Sequence, residues 1–408
     1  YLIGLKCLNF PIMKNQQTIL TLFFFTSFLF ADLEKDLQTQ FILAEPGDTI
    51  TIPAGHHIIR GTLSIEGKEN LVIRGSGMDR STLSFLDQAE GAQGISITNS
   101  KNITLEDFSV QDTKGDAIKV QYTDGIVFRR ITVEWTGGPK ETNGAYGLYP
   151  VQCQNVLVEH SVAIGASDAG IYVGQSNDIV VRNNVAHDNV AGIEIENSNN
   201  AEVYENHAYN NTGGILIFDL PDLIQKKGGN IHVYNNVVES NNLGNFAPKG
   251  SIVGKVLPGT GILVLACNNV HIYENTIRNN KSIGTGVVSY FMTEEAINDS
   301  LYNPYTSDIH IYNNLFDRWP GFPDLDYDVG QLLAVKYGRN TPDIIYDSMQ
   351  DPEIQAGLCI QNNTNARFTD LDIEHNFEEW YSPFISNFSE DMSPHNCGIQ
   401  HLLISAAK

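Results

Sequence analysis

Several side chains with chemical potential occupy matching places in phrases that repeat along the chain. Lys119, Tyr149, Tyr172 and Glu194 sit between apolar neighbours in Ile118-Lys-Val, Leu148-Tyr-Pro, Ile171-Tyr-Val and Ile193-Glu-Ile. Gln121, Val151, Gly174, Glu196 and Phe218 fall at a second position two residues further along such phrases. If the apolar residues point inward, those between them face out in two columns. The first column continues through Leu216 and Leu263, the second through Phe218 and Leu265. Tyrosines beside carboxylates suit a sugar ring, which offers an apolar face and hydroxyls. Asp116 and Asp168, just ahead of their strands, and the turn His187-Asp188-Asn189 border the same face.

Abstracting a proton next to a sugar carboxylate needs a base and a positive group or metal to hold the developing enolate. Tyr149 or Tyr172 as base, Lys119, His187 and a calcium ion held by Glu194, Glu196 or Asp168 would supply these parts. Glu194, Glu196, Phe218 and Asp116 would then contact the substrate. Lys119 and Glu194 would stand three coils apart, roughly 14 Å from the strand spacing, and so touch different sugar units. Glu194 and Glu196 would lie about 7 Å apart, a loose fit to the carboxylate pair of a glycoside hydrolase. The plainer alternative is that outward Tyr and Glu are ordinary on a sheet face. His160, His207, His232, His271 and His310 also fall at outward strand or turn positions, and Arg129-Arg130 reads as a salt-bridging edge.

The elements that would position these groups are short strands. Gly147-Leu-Tyr-Pro-Val, Gly170-Ile-Tyr-Val, Gly192-Ile-Glu-Ile and Gly214-Ile-Leu-Ile recur at spacings of 23, 22 and 22 residues. A second phrase follows each, as in Ile179-Val-Val-Arg-Asn-Asn184 and Ile231-His-Val-Tyr-Asn-Asn236. Alternating apolar residues at a period near 22 predict an all-β solenoid of stacked coils, a parallel β-helix. Aligned second phrases put Phe108, Ile131, Ser161, Asn184, Asn206, Asn236, Asn275 and Asn314 at one inward corner. The asparagines there form a structural ladder, each satisfying the next coil's buried polar groups. Neither the leucine-rich frame nor the calcium-binding nonapeptide is present.

The Gly-Ile-x-Ile and Asn-Val-x-Ile-x-x-Asn phrases resemble the right-handed parallel β-helix of the pectate-lyase-like superfamily. In particular they are similar to exported bacterial parallel β-helix repeat proteins, related to the NosD-type and the carbohydrate-binding and sugar-hydrolase repeats. The resemblance covers roughly residues 45–375 and implies handedness and fold. That superfamily hosts lyases, hydrolases, epimerases and non-catalytic proteins. Its pectate-lyase Trp-Ile-Asp-His, polygalacturonase Asn-Thr-Asp and alginate-epimerase Asp-Pro-His motifs are missing here. The expected function is therefore contact with an extended polysaccharide, sharpened to a polysaccharide lyase or uronate epimerase. The competing expectation is a non-catalytic module that binds carbohydrate or a partner protein, or a periplasmic accessory protein.

The 408 residues carry a formal charge of −23. So acidic a chain lacks the basic footprint that nucleic acid or an anionic membrane requires. Met13-Lys14-Asn15, the apolar run from Ile19 to Phe30 and Ala31 have the parts of a secretory signal, too short for a membrane span. Residues 1–31 are thus expected to be an upstream extension plus leader, and the mature monomer to be exported to the periplasm, the outer surface or the medium. Residues 32–44 are expected to cap the stack as a helix with Leu33, Leu37 and Phe41 on one face. The coils would span 45–375, interrupted at 136–143, 219–229, 241–260 and 291–307, and 376–408 would form an irregular cap. Among the cysteines, Cys359 and Cys397 are the plausible pair, while Cys153 and Cys267 read as buried singles. The two long insertions flank the Leu216 and Phe218 end of the outward columns, where they would cover apolar surface and wall a cleft.

Overall fold

A computed structural model describes residues 33–349, 351, 353, 357–373 and 388–397. The expected leader and part of the expected C-terminal cap lie outside those residues. Inward alternation holds: Ile118, Val120, Ile171, Val173, Ile193, Ile195, Ile215 and Ile217 are all fully buried. One coil comprises the strands Ala169–Gly174, Asn177–Arg182 and Val185–His187, and Ala191–Glu196 opens the next. Each strand pairs in parallel with its counterpart one coil on, Tyr172 opposite Glu194, Val180 opposite Glu202 and Ala186 opposite Ala208. Among the described residues, eleven strands from Leu63–Glu66 to Phe368–Asp370 build one face. The other two faces join into one sheet, because Lys101–Gln111 and Asp124–Glu134 each run through the corner between them.

The corners are held by amide ladders. Asn184 Nδ2 donates to Asn206 Oδ1, Asn206 to Asn236, Asn236 to Asn275 and Asn275 to Asn314, at 2.9–3.0 Å. Each amide also donates to a strand carbonyl, as Asn206 does to Val181 at 2.9 Å. A second ladder, Asn189, Asn211, Asn241 and Asn280, stands at the next corner. It was readable five residues beyond the first. At the third corner Cys153 N–H donates to Ser176 Oγ and Ser176 N–H to Ser198 Oγ, so the unpaired, buried Cys153 occupies a place in a hydroxyl file. The arginine pair is also a structural edge, with Arg129 on Glu159 and Arg130 on Asp107, both at 2.6 Å.

The helix Leu33–Leu43 closes the first coil by burying Leu37 and Phe41, and Glu34 accepts the N–H groups of Arg60 and Gly61. Beyond Leu315–Asp317 the coils are broken by a further excursion, not among the interruptions expected. It contains a second helix, Asp328–Tyr337, which seats Leu333 against Leu257, Ile283 and Ile345. Leu358–Gln361 adds a further strand, and Cys359 and Cys397 are joined by a disulfide. No described helix is long and apolar enough to cross a membrane.

Candidate functional site: a tyrosine–carboxylate cleft

The outward columns stand as the alternation predicts. Lys119 pairs in register with Tyr149, Tyr172 with Glu194, Glu194 with Leu216 and Glu196 with Phe218. The insertions wall this face at its downstream end, as expected, and leave Leu216 and Phe218 with 0% and 1% exposure. Val253 and Val256 of the 241–260 insertion join them, with Tyr302 of the 291–307 insertion and Tyr290 just ahead of it. The 219–229 insertion hangs from Asn197, whose amide donates to Leu220 O at 3.0 Å and accepts from Leu220 N–H at 2.7 Å. The 291–307 insertion ties these two together: Asp299 meets Lys226 at 2.5 Å, Glu295 meets Lys255 at 2.6 Å, and Tyr302 donates to Asp219 O at 2.6 Å. Beyond the wall the same face has an apolar hollow of about 100 Å³, lined by Phe218, Leu263, Leu265, Val288 and Ile345 among others.

Upstream of the wall, three tyrosine rings pack together. Tyr146 lies 4.4 Å from Tyr149 and 4.5 Å from Tyr172 between ring centroids, and Tyr149 lies 5.0 Å from Tyr172. The Lys119 ammonium sits over the Tyr149 ring at 5.1 Å. Tyr172 lies along its own strand across Gly174, where a Cβ would come within 2.3 Å of its ring and hydroxyl. From there its phenol donates to Glu196 Oε1 at 2.6 Å. The Tyr146 phenol makes a longer contact of 3.4 Å with Asp168 Oδ2.

The carboxyl groups are in an unusual state. Burial, reinforced by Glu196, pushes Asp168 up to about 7. Burial also raises Glu196 to about 7, although the Tyr172 hydrogen bond pulls the other way. Glu194, 3% exposed, is driven well above the ordinary carboxylate range by burial and then by Asp168 and Glu196, and its Oε2 has no hydrogen-bond partner. A buried acceptor left unpaired is costly, so the arrangement calls for a reason. At neutral pH the three groups together retain protons. Burial raises Asp116 as well. Burial and neighbouring carboxylates push Tyr146, Tyr149 and Tyr172 upward, so their phenols stay protonated at neutral pH.

The structure therefore gathers Asp116, Lys119, Tyr149, Asp168, Tyr172, Glu194 and Glu196 on one face, with Phe218 in the wall beside them. It does not bring in His187, whose Nδ1 pairs with Asp188 at 2.6 Å and whose ring stacks on Tyr209 on a neighbouring face. It adds Tyr146, which alternation from Leu148 would have turned inward. The strand shifts at Gly147, where a Cβ would lie 2.3 Å from the Gly170 carbonyl, and that close crossing lets Tyr146 leave the core.

Parallel coils with inward aliphatic files and an outward, loop-walled cleft define a right-handed parallel β-helix with the pectate-lyase-like fold. The chain belongs to the right-handed β-helix family, whose model matches residues 93–241 and 140–316. Among solved structures, the A-modules of the Azotobacter vinelandii mannuronan C-5 epimerases AlgE4 and AlgE6 are similar in fold. Each is 16% identical and covers 82% of this chain, over 90% and 89% of their own lengths, with TM-scores of 0.52 and 0.53. No curated protein matches the chain.

Proposed function

We propose that the protein acts on an extended polysaccharide in this cleft, removing the proton beside a sugar carboxylate to give elimination or epimerisation. The observation that carries the reading is the succession of Lys119, Tyr149 and Asp168 in neighbouring coils, with Asp168 held at about 7. A uronate ring held beside Tyr149 would direct its carboxylate to the Lys119 ammonium, which offsets the charge of the enolate. Asp168, in its ionised form, would take the proton, since a base with a pKa near the working pH is the efficient one. The Tyr149 phenol would return a proton, to the leaving oxygen in elimination or to the opposite face of the carbon in epimerisation.

Glu194 and Glu196, retaining protons, keep negative charge from accumulating where an anionic sugar must approach an acidic surface. If both lose their protons, Asp168 and Glu194 instead offer the oxygen donors that calcium takes, the unpartnered Glu194 Oε2 fitting such a role, and Asp168 would then serve as ligand and not as base. A bound calcium ion would add positive charge beside the enolate. The fold-mates are named as mannuronan C-5 epimerases, and that activity enters here as a reaction to test. The disulfide supports an exported location, since such bonds persist in oxidising compartments. Partner-protein docking on a flat apolar face is disfavoured, because Leu216 and Phe218 are already covered.

The test incubates the protein with uronate polysaccharides, with and without calcium, following the ultraviolet absorbance of unsaturated products and solvent-proton exchange at C5. Wild-type turnover should fall by about 10²–10⁴-fold in Asp168→Asn, the usual worth of a general base. Binding without turnover would establish the non-catalytic module instead, and an active Asp168→Asn would remove Asp168 from the mechanism.

A further inference from the structure

The face that carries the Tyr204 and Tyr234 strands has its own outward columns, unrelated to the cleft. Glu202, His232, His271, His310 and Cys359 follow one another in register at one outward position. The three imidazoles form a continuous stack, with centroids 4.9 Å and then 4.5 Å apart and rings within 5° of parallel. The stack ends on a cysteine rather than another ring. A ring nitrogen of His310, Cys359 Sγ and Cys397 Sγ all lie within 4.8 Å of one another. Asp308 Oδ1 is 2.9 Å from His310 Nε2, so the ring is oriented by a carboxylate.

Two sulfurs and one carboxylate-oriented imidazole at this separation form a donor set that a thiophilic ion of zinc type accepts. In the disulfide form the sulfurs are poor ligands, because the thiolate is the metal-binding species.

We propose that reduction of the Cys359–Cys397 disulfide opens a zinc-type metal site made of His310, Cys359 and Cys397. The exchange is balanced. A dithiol or phosphine reductant gives two electrons to the S–S bond, which takes up two protons and becomes two thiols while the reductant is oxidised. The divalent ion then displaces both thiol protons and binds two thiolates and the imidazole, without changing its own oxidation state. Either the disulfide or the ion fastens the segment around Cys397 to the last coil, so the protein trades one cross-link for the other as redox conditions change.

The experiment uses the full chain. Oxidised and phosphine-reduced protein are titrated with zinc against a chromophoric chelator, and with cadmium to read thiolate charge-transfer absorbance. The reduced protein should bind one ion per chain more tightly than the oxidised form does. Cys397→Ser should abolish that site although Cys7, Cys153 and Cys267 remain, and His310→Gln should weaken it by at least about tenfold. Circular dichroism of each variant checks that the coils are intact. Equal binding by the oxidised and reduced proteins overturns the proposal, as does binding that survives Cys397→Ser or is unchanged in a folded His310→Gln.

Discussion

Gly174 shapes the cleft by what it leaves free. Its backbone is ordinary, but the space a Cβ would take is filled by the Tyr172 ring, and this lets the phenol cross to Glu196. Gly174→Ala should therefore displace the phenol and remove the one hydrogen bond that lowers the Glu196 pKa. Glu196 then titrates at higher pH, so the descending limb of a pH–rate profile attributable to it should move upward, with activity reduced. Alternation made the outward positions of Tyr149, Tyr172, Glu194 and Glu196 legible. It could not show that Tyr172 bends over Gly174, because that depends on side-chain direction and not on period. Nor did it point to Tyr146, since a glycine crossing breaks the count of two. His187 was drawn toward the site by its place in the turn, yet a neighbouring carboxylate and an aromatic stack hold it elsewhere.

The coils owe their register to the inward amides more than to any one strand. Asn206 accepts from both N–H donors of Asn184, main-chain and side-chain, at 3.0 Å each, and donates to Val181 O and Asn236 Oδ1. Asn206→Ala should cost roughly 1–3 kcal/mol for each buried group left unpaired. It should lower the urea midpoint with little change in slope, whereas Thr51→Ala, at an exposed outward strand position, should move it little. The first ladder was readable because asparagine recurs at one place in aligned phrases. The second needed only the same alignment carried five residues further. The helix Asp328–Tyr337 escaped notice for a different reason: only Gly330 and Leu333 are buried along it, too few for a period to register, and Pro and Asp flank it.

Across the whole molecule, raised carboxyl pKa values set the response to pH. Asp168, Glu196 and Asp219 titrate at about 7 and Asp347 at about 6, while Glu194 lies higher. Between about 4, where these groups titrate in an unfolded chain, and 7, the folded state binds protons that the unfolded one does not. Stability should consequently fall as pH rises through this range. His271 and His232, whose pKa values are lowered by burial, oppose the trend below the unfolded histidine value of about 6.5, but the carboxyls outnumber them. Thermal midpoints should be higher at about pH 5 than at about pH 8, and Glu196→Gln should flatten the difference. Ion-paired Asp107, Glu159 and Glu239 are lowered instead, so their contribution is lost only under stronger acid.

The wall beside the cleft is written in three separate stretches of the chain but bound into one piece through Asp299, Glu295 and Tyr302. Such a wall is inherited as a set. A relative that lost or exchanged one stretch would strand the charged partners in the other two, so these loops can diversify only in concert. Grafting the cleft onto another β-helix would require moving all three together with the coils that carry its side chains, while coils remote from both, alike in their inward files, could be replaced with far less consequence.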